Sequence, residues 1–245
     1  MNNIGRSSTA SAYSAVKHIE KYDFWSVYAN KLGFLTSVNE NDIYIRTSPA
    51  DRTFQVSSAL LTGMDPSEAS KTFPVITQPS PIDNITPSYS CPNANNVRNA
   101  YQSVPAWTDH LQANADLKAR LDATLGTAGL SDWASWCVFL QELMQNFELF
   151  RSGKETFKMR FFVGHDGTMI RVASALGLGI LAPLRWPALG SEIVMEVWKV
   201  KGSNFVRVLH EGTPVSSLEW VTLDEFIQLL ASQIPPDIFA ACNSS

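Results

Sequence analysis

The sequence predicts an α/β fold in which a layer of strands is covered by helices. Short β-branched and apolar segments alternate along the chain with segments whose apolar residues recur at helical spacing. The 245 residues, 45% of them apolar, are enough to bury a large core, so a disordered chain is excluded. The net charge is −4 and no Lys/Arg stripe is present, which argues against a nucleic-acid-binding protein.

The first quarter of the chain predicts a helix, a strand and a second helix. The first helix is expected over roughly residues 9–31, where aromatic and β-branched residues recur at helical spacing. A strand over residues 42–46 leads into the turn Thr47-Ser48-Pro49. Asp51 is then a suitable N-cap for a helix that runs through Leu61 and stops at Gly63.

The middle of the chain differs in composition. Residues 65–105 contain seven prolines and little periodicity, which predicts a long ordered loop. From residue 109 to residue 150 helical spacing returns, with a glycine-rich break at Gly126–Gly129.

The last third of the chain gives the clearest pattern. The apolar run of residues 157–163 is typical of a buried strand, and residues 169–178 of a helix. Residues 193–200 and 205–209 predict two strands joined by a hairpin at Lys201–Asn204. A capping box that starts at Thr222 predicts a closing helix, which ends before Pro235-Pro236.

No membrane span is predicted. The longest nearly uncharged apolar stretch, residues 172–184, is shorter than the roughly 20 residues that a span needs, and it contains Pro183. Residues 1–14 lack the apolar core of a signal peptide.

Two segments place chargeable side chains at the end of an apolar strand, where open α/β sheets bind ligands. In the first, Arg46 ends its strand about five residues before a helix begins. A guanidinium beside free helix amides forms an anion site. The alternative is an Arg46 that pairs with a carboxylate.

The second segment is Gly164-His165-Asp166-Gly167-Thr168, between a buried strand and a helix. Glycine lets a ligand approach the backbone closely, His165 can donate to an anion, and Asp166 can protonate a leaving group. The alternative is a solvated turn that happens to contain a histidine.

Together these two segments resemble the histidine acid phosphatases, the larger branch of the histidine phosphatase superfamily. The resemblance covers residues 42–66, 89–98 and 157–242 in the family's order. It implies a three-layer α/β/α sandwich core with a reduced, mostly helical cap insertion. The core would comprise residues 1–64 and 156–245, and the cap residues 65–155.

The resemblance also implies a mechanism. A histidine attacks the phosphorus of a phosphomonoester, and water hydrolyses the phosphohistidine intermediate. Arg46 and His165 would bind the phosphoryl oxygens and Asp166 would be the proton donor, with Arg52 and Thr168 in support. The reaction needs no cofactor and no metal, and the other histidines show no close-spaced ligand pattern.

The chain departs from the family at the nucleophile. The family's motif Arg-His-Gly-x-Arg-x-Pro is not found, and the nearest candidate, His18, lies in a helical pattern. One hypothesis is an acid phosphatase whose N-terminal strand is missing from this chain, which would leave the chain inactive. The other is a non-catalytic relative that binds phosphorylated ligands. A hydrolase with a Ser-His-Asp triad has no nucleophile-elbow motif to support it.

Further expectations come from the resemblance. Cys91 and Cys242 match positions that are bridged in the family, which implies one disulfide, an oxidising compartment and a secreted or lysosomal protein. The partner would be a small phosphomonoester or a phosphorylated macromolecule, with a homodimer left open. Asn84 and Asn243 start triplets with the form of glycosylation sites.

Overall fold

The computed structural model describes residues 20–64, 72–86, 91–113, 137–178 and 186–243. Within these ranges the chain forms two three-stranded sheets and a set of helices, so the predicted α/β class is confirmed. One sheet has the strand order β2-β1-β3 and the other β4-β5-β6.

The first sheet is parallel. Strand β1 (Ile43–Thr47) pairs with β2 (Ile76–Thr77) on one edge and with β3 (Met159–Val163) on the other. Thr47 is in register with Val163, so the carboxyl ends of β1 and β3 lie side by side. The segments that follow these two strands therefore meet at one edge of the sheet.

The second sheet is an antiparallel meander of β4 (Ile193–Val200), β5 (Ser203–His210) and β6 (Thr213–Thr222). Two-residue turns, Lys201-Gly202 and Glu211-Gly212, join the strands, and all four turn residues have positive φ between 50° and 89°. This is the type I′ geometry that matches the right-handed twist of paired strands. The predicted hairpin is confirmed, with a shorter turn than expected.

Helices precede and follow the strands. They are α1 (Glu20–Lys31, wound as a π-helix), α2 (Asp51–Met64), α3 (Pro92–Gln102), α4 (Pro105–Ala113), α5 (Cys137–Arg151), α6 (Asp166–Ala175), α7 (Leu223–Ser232) and α8 (Ile238–Asn243). The predicted capping box is present, because Thr222 and Glu225 each bond the other's backbone N–H at the start of α7.

Helices cover both faces of β3. Phe161 packs with the apolar side chains of α1 and α2, while its neighbour Phe162 packs with those of α5 and α6. Successive side chains of a strand point to opposite faces, so the four helices form two layers with the strand between them. This is the predicted α/β/α layering.

The structure corrects several predicted boundaries. Helix α2 continues through Gly63, which is buried, to Met64. The segment predicted as a loop contains β2 and α3, and Pro92 occupies the first position of α3, where its missing N–H is tolerated. Helix α6 begins three residues earlier than predicted, and β6 and α8 were not predicted.

The apolar core forms two clusters. The larger one contains Leu140, Leu176, Val206, Phe226 and Leu230, and draws on α5, α6, α7 and the meander. The smaller one lies between β1, α2 and the residues after α1. The predicted division into core and cap stays a prediction, but α5, which it assigned to the cap, packs in the larger cluster.

No helix in the described part of the chain has both the length and the apolar character that a membrane crossing requires.

Candidate functional site

The candidate site lies where β1 and β3 end. Helix α2 begins at Asp51, four residues after β1, and α6 begins at Asp166, three residues after β3. Both helix N-termini are therefore at the same edge of the parallel sheet. Backbone N–H groups in the first turn of a helix have no intrahelical acceptor, so this edge favours an anion.

His165 is the central residue of the site. Its Nδ1 lies 3.0 Å from a terminal nitrogen of Arg52 and 3.3 Å from Nε of the same guanidinium. Its Nε2 lies 2.9 Å from Oγ of Ser48. An arginine can only donate, so Nδ1 is the acceptor and Nε2 carries the proton that is donated to Ser48.

The hydroxyl groups of Ser48 and Thr53 extend the series of hydrogen bonds that runs from Arg52 through His165. Ser48 Oγ lies 3.2 Å from Oγ1 of Thr53, and Thr53 donates to the Ala50 carbonyl oxygen at 2.7 Å. Ser48 and Thr53 are both buried. The imidazole is thus held at Nε2 by the Ser48 hydroxyl and at Nδ1 by the Arg52 guanidinium.

The surroundings of His165 disfavour its charged form. Burial of the half-buried ring and the nearby positive charge of Arg52 lower its pKa below 6.5, while the carboxylates of Asp166 and Asp83 act in the opposite direction. The lowered pKa of His165 makes Arg52 the main positive charge of the site.

Asp166 is the first residue of α6 and is exposed. Its Oδ1 accepts from the N–H of Gly167 at 2.7 Å, and its Oδ2 accepts from Nε1 of Trp186 at 2.9 Å. Both oxygens are thereby oriented at the mouth of the site, next to His165.

Arg46 lies apart from this group. It is only 3% exposed, and one of its terminal nitrogens donates to both carboxylate oxygens of Glu142, at 2.7 and 2.6 Å. The other terminal nitrogen donates to the side-chain oxygen of Asn84, and the guanidinium lies over the ring of Phe162. This is the pairing with a carboxylate that the sequence left open, and it occupies both terminal nitrogens of Arg46.

Thr168 and Gly164 fix the loop of residues 83–86 against the site. Thr168 donates to the carbonyl oxygen of Ile85, and a Cβ on Gly164 would lie only 2.7 Å from Cγ2 of Ile85. The loop is itself closed by Asp83, whose carboxylate accepts from the backbone N–H of Ile85 and Thr86. The close neighbour of Gly164 is therefore the protein's own chain, where the sequence had led us to expect a ligand.

A wide cavity of about 1540 Å³ opens beside the site. Arg52, His165 and Asp166 lie on its wall, and most of its lining is apolar. Among the described residues His165 is the one histidine that lines it. No group of three His, Cys, Asp or Glu side chains in the described ranges is arranged to hold a metal ion.

The remaining predicted residues have mixed outcomes. Cys91 is fully buried, while the Cys242 side chain and all of His18 lie outside the described part of the structure. The interpretation of Asn84 as a glycosylation acceptor is wrong for the folded chain, because its buried amide contacts Arg46 and Glu142.

Sequence reasoning missed three residues of this region, namely Ser48, Trp186 and Glu142. Ser48 lies in the turn Thr47-Ser48-Pro49 that follows the predicted strand, so its position next to the site could have been inferred from the sequence. Trp186 and Glu142 are distant along the chain from the residues they contact, and no local signal marks them.

Comparison with solved structures finds phytases. The phytase of Citrobacter braakii superposes with a TM-score of 0.63 at 14% identity, over 95% of this chain and 88% of that one. The phytase of Klebsiella sp. ASR1 gives 0.60 at 14% identity, over 91% and 84%. The Hafnia alvei phytase in complex with myo-inositol hexakis sulphate gives 0.55 at 14% identity, over 94% and 87%.

No protein-family model matches the sequence, and no curated protein matches it either. The likeness is therefore one of structure, and it extends over more than nine-tenths of the chain. The chain has the α/β fold of these phytases, which is the histidine acid phosphatase fold that its sequence motifs had predicted.

Proposed function

We propose that Arg52 and His165 bind the phosphoryl group of a phosphomonoester, in a site of the acid phosphatase type. The observation that carries this proposal is the contact between the Arg52 guanidinium and Nδ1 of His165, beside the N-termini of α2 and α6. A planar guanidinium and helix amides together match the charge and the oxygen geometry of a phosphate.

A bound phosphate would remove the electrostatic repulsion between Arg52 and a protonated His165. Without an anion, the charge of Arg52 disfavours a proton on His165. A dianion between them attracts both, so the imidazole can take up a proton on Nδ1 and donate it to a phosphoryl oxygen. Ligand binding would then replace the direct Arg52–His165 contact with two contacts to the same anion.

Arg52, rather than Arg46, is the arginine that we assign to the phosphate. The guanidinium of Arg52 is exposed at the site, whereas both terminal nitrogens of Arg46 contact Glu142 or Asn84. In this proposal Arg46 positions the end of β1, and Thr168 positions the loop that carries Asn84. Neither residue touches the ligand.

Asp166 is proposed as the proton donor to the leaving oxygen. Its carboxylate stands at the mouth of the site, next to His165, and is oriented by Trp186 and by the N–H of Gly167. A positioned carboxylic acid at this place can protonate the departing alkoxide and afterwards accept a proton from water.

The attacking histidine of the acid phosphatase mechanism has no counterpart that we can assign. The sequence contains no Arg-His pair, and His165 itself is held between Arg52 and Ser48. We therefore propose that these 245 residues supply the oxygen-binding and proton-donating groups of a phosphatase site, and by themselves bind phosphomonoesters without turning them over.

The serine-hydrolase alternative is not favoured. A serine nucleophile needs an unprotonated imidazole nitrogen facing its hydroxyl. Here Arg52 occupies Nδ1 and leaves the proton on Nε2, so His165 donates to Ser48 and cannot receive its proton. Ser48 is also only 1% exposed.

The ligand class is proposed to be small and phosphorylated, with inositol phosphates as the first to test. The support is the fold shared with phytases, one of them solved with a hexasulphated inositol. The cavity beside the site is large enough for such a ligand.

We also propose that Cys91 and Cys242 form a disulfide, which would place the chain in an oxidising compartment. Cys91 is fully buried directly before α3. The side-chain amide of Asn93, two residues later, donates to the carbonyl oxygen of Ala241 at 2.9 Å, which brings the start of α3 next to α8.

Isothermal titration of the 245-residue chain with inositol hexakisphosphate tests the phosphate site. We expect Arg52→Ala to weaken binding at least tenfold, while Arg151→Ala, which removes an equally charged but distant side chain, leaves the affinity unchanged. Equal affinity in all three proteins would overturn the assignment.

A second assay addresses turnover. We expect no hydrolysis of p-nitrophenyl phosphate at pH 5 by the purified chain. If hydrolysis is seen and His165→Ala abolishes it, then His165 is itself the nucleophile and our assignment of roles is wrong.

A further inference from the structure

We propose that Ser48 and Thr53 are positioning residues that hold the proton of neutral His165 on Nε2, so that Nδ1 is the nitrogen available to a phosphoryl oxygen. These two side chains, the hydroxyl pair, form one hydrogen-bonded series with the imidazole. The inference deepens the proposed function, on which its consequence for phosphate rests. The position of the proton can be measured without any ligand.

Thr53 sets the direction of the series, because its only hydroxyl proton is already used. Its Oγ1 lies 2.7 Å from the carbonyl oxygen of Ala50 and 2.8 Å from that of Ser48. A carbonyl oxygen can only accept, so Thr53 is the donor whichever of the two takes the bond. Towards the Ser48 hydroxyl, 3.2 Å away, Thr53 therefore presents a lone pair.

Ser48 passes the same direction on to the imidazole. Its Oγ has one proton and lies between Thr53 Oγ1, at 3.2 Å, and His165 Nε2, at 2.9 Å. Since Thr53 does not donate to it, Ser48 donates to Thr53 and presents its own lone pair to Nε2. A hydrogen bond between Ser48 and His165 then forms only if Nε2 carries the proton.

Burial makes the reversed arrangement costly. Ser48 is 1% exposed and Thr53 is 2% exposed, so water has little access to either hydroxyl. A proton on Nδ1 in place of Nε2 would require Ser48 to donate to His165. The two hydroxyl oxygens would then have no proton between them unless Thr53 gave up its bonds to the carbonyl groups. Either change leaves a buried polar group without its partner.

The fold assembles the series where two strands end. The N–H of Ser48, the residue after β1, donates to the carbonyl oxygen of Val163, the last residue of β3, at 3.1 Å. Thr53 lies in the first turn of α2, where its N–H donates to the Ala50 carbonyl oxygen at 3.0 Å. His165 follows Val163 by two residues. The backbone bonds that join the strand ends therefore also place the hydroxyl pair beside the His165 ring.

Arg52 and the hydroxyl pair select the same tautomer from opposite nitrogens, but only the hydroxyl pair keeps its contact in the proposed complex. There the direct contact between Arg52 and His165 is replaced by contacts to the anion. An imidazolium needs an acceptor for each of its two N–H groups, and Ser48 supplies one of them before a ligand arrives. The proton that His165 takes up on binding is thereby directed to Nδ1, towards the phosphoryl oxygen.

Nitrogen-15 NMR of the histidine rings tests the position of the proton directly, because protonated and unprotonated ring nitrogens differ in chemical shift. The spectra are recorded without ligand at about pH 8, where His165 is neutral. All chains carry Arg52→Ala, so that the hydroxyl pair acts on the ring without the guanidinium. The signals of His165 are assigned by their loss in His165→Ala.

A matched pair of substitutions at Thr53 decides the outcome. Thr53→Val removes the hydroxyl with little change of shape and frees Ser48 to donate to Nε2, so we expect the Nδ1–H tautomer to become the major form. Thr53→Ser keeps the hydroxyl and should keep the Nε2–H tautomer. The same tautomer in both variants overturns the proposal.

Two further variants separate this role from a general effect on packing. Ser57→Ala, one turn along α2, removes a buried hydroxyl that donates to the Thr53 carbonyl oxygen, and it should leave the tautomer unchanged. A response to Ser57→Ala as large as that to Thr53→Val contradicts the assignment. If circular dichroism shows that Thr53→Val does not fold, Ser48→Ala replaces it. That variant removes the acceptor at Nε2 and should also favour Nδ1–H, and an unchanged tautomer then refutes the role.

Isothermal titration with inositol hexakisphosphate tests the consequence for binding, in chains that keep Arg52. At about pH 6 we expect Thr53→Val to bind about threefold or more weakly than Thr53→Ser, because Ser48 then opposes a proton on Nε2. The difference should shrink towards about pH 8. The charged groups that face His165 are Arg52, Asp166 and Asp83, and this pair of variants changes none of them. Equal affinities at about pH 6 would overturn the role in phosphate binding.

The two experiments can fail separately. If the unmodified chain binds inositol hexakisphosphate and the tautomer ignores Thr53→Val, the phosphate function stands and the role of the hydroxyl pair is wrong. If no chain binds the ligand, the phosphate function is wrong, and with it the ligand-facing role of Nδ1. The NMR comparison still decides whether Ser48 and Thr53 hold the proton on Nε2.

Discussion

The guanidinium of Arg52 donates to Nδ1 of His165, and this contact fixes the imidazole as the tautomer with its proton on Nε2. Arg52 lies in the first turn of α2, after β1, and His165 directly precedes α6, after β3, so the contact exists only because β1 and β3 are neighbours in the sheet. Most of the chemistry that we propose depends on it.

The first prediction concerns the titration of His165. Its pKa should lie below 6.5, because burial and the charge of Arg52 both disfavour the imidazolium. Proton NMR of the ring signals measures it directly. Arg52→Ala should raise the pKa towards the ordinary value, while Arg151→Ala should not change it. A pKa above 6.5 in the unmodified chain would contradict the electrostatic account.

The second prediction concerns the pH dependence of phosphate binding. The empty site disfavours a proton on His165 and the bound anion favours one, so binding takes up a proton wherever the two pKa values differ. Affinity should therefore rise as the pH falls through about 6.5. Titrations in two buffers of different ionisation enthalpy measure the uptake, and His165→Ala should remove it. Proton release on binding would reverse the sign and refute the model.

The third prediction concerns the ion pair of Arg46 and Glu142. Glu142→Ala leaves a buried guanidinium without its charge partner and should lower the free energy of unfolding by about 3 kcal/mol. Glu148→Ala, in the same helix, removes only an exposed pair with Arg151 and should cost less than about 0.5 kcal/mol. Urea denaturation measures both. Similar losses of unfolding free energy in the two variants would show that the buried pair stabilises the fold no more than the exposed pair does.

The fourth prediction concerns the close approach of Ile85 to Gly164. Gly164→Ala places a methyl group 2.7 Å from Cγ2 of Ile85 and should destabilise the chain by about 1–3 kcal/mol. Gly167→Ala, three residues later, meets only Arg171 at 3.8 Å and should be neutral or slightly stabilising in the first turn of α6. Thermal unfolding of both variants compares them, and Ile85→Ala should relieve the loss in a double variant with Gly164→Ala.

The fifth prediction concerns the cysteines. If Cys91 and Cys242 are paired as we propose, Cys137 is left as a thiol, and intact mass after alkylation should show one modified cysteine in the non-reduced chain and three after reduction. Alkylation is done in denaturant so that burial does not protect any thiol. Three modified cysteines without reductant would reject the bridge.

Local signals in the sequence predicted much of the fold. Strand β4 was placed at its observed residues, and the capping box at Thr222 defines the start of α7. Both depend on neighbouring residues alone. The end of α2 was misplaced because the helix continues through the buried Gly63, where packing outweighs the low helix propensity of glycine.

Strand β6 shows how a local pattern can be hidden. Val215 and Leu218 are its buried residues, three positions apart, because the pairing with β5 shifts register along the strand. A strict two-residue alternation is therefore absent from the sequence. The turn Glu211-Gly212 was the remaining signal, since its glycine occupies a position with positive φ.

The site itself was predicted in outline only. His165 and Asp166 were identified from their position after an apolar strand, and the structure places them beside Arg52. The sequence assigned Arg46 to the phosphate and gave Arg52 a supporting role. It could not show that Arg46 pairs with Glu142, which lies 96 residues away from it along the chain. Which arginine is buried in a pair and which is exposed is a property of tertiary packing.

The division of the apolar core has a consequence for folding. The meander β4-β5-β6 and helix α7 are contiguous in sequence, so they can form early, at little cost in chain entropy. The first sheet must instead join Ile43 to Met159, so we expect it to form later. The two apolar clusters are then expected to behave as two cooperative units, which native-state hydrogen exchange would separate.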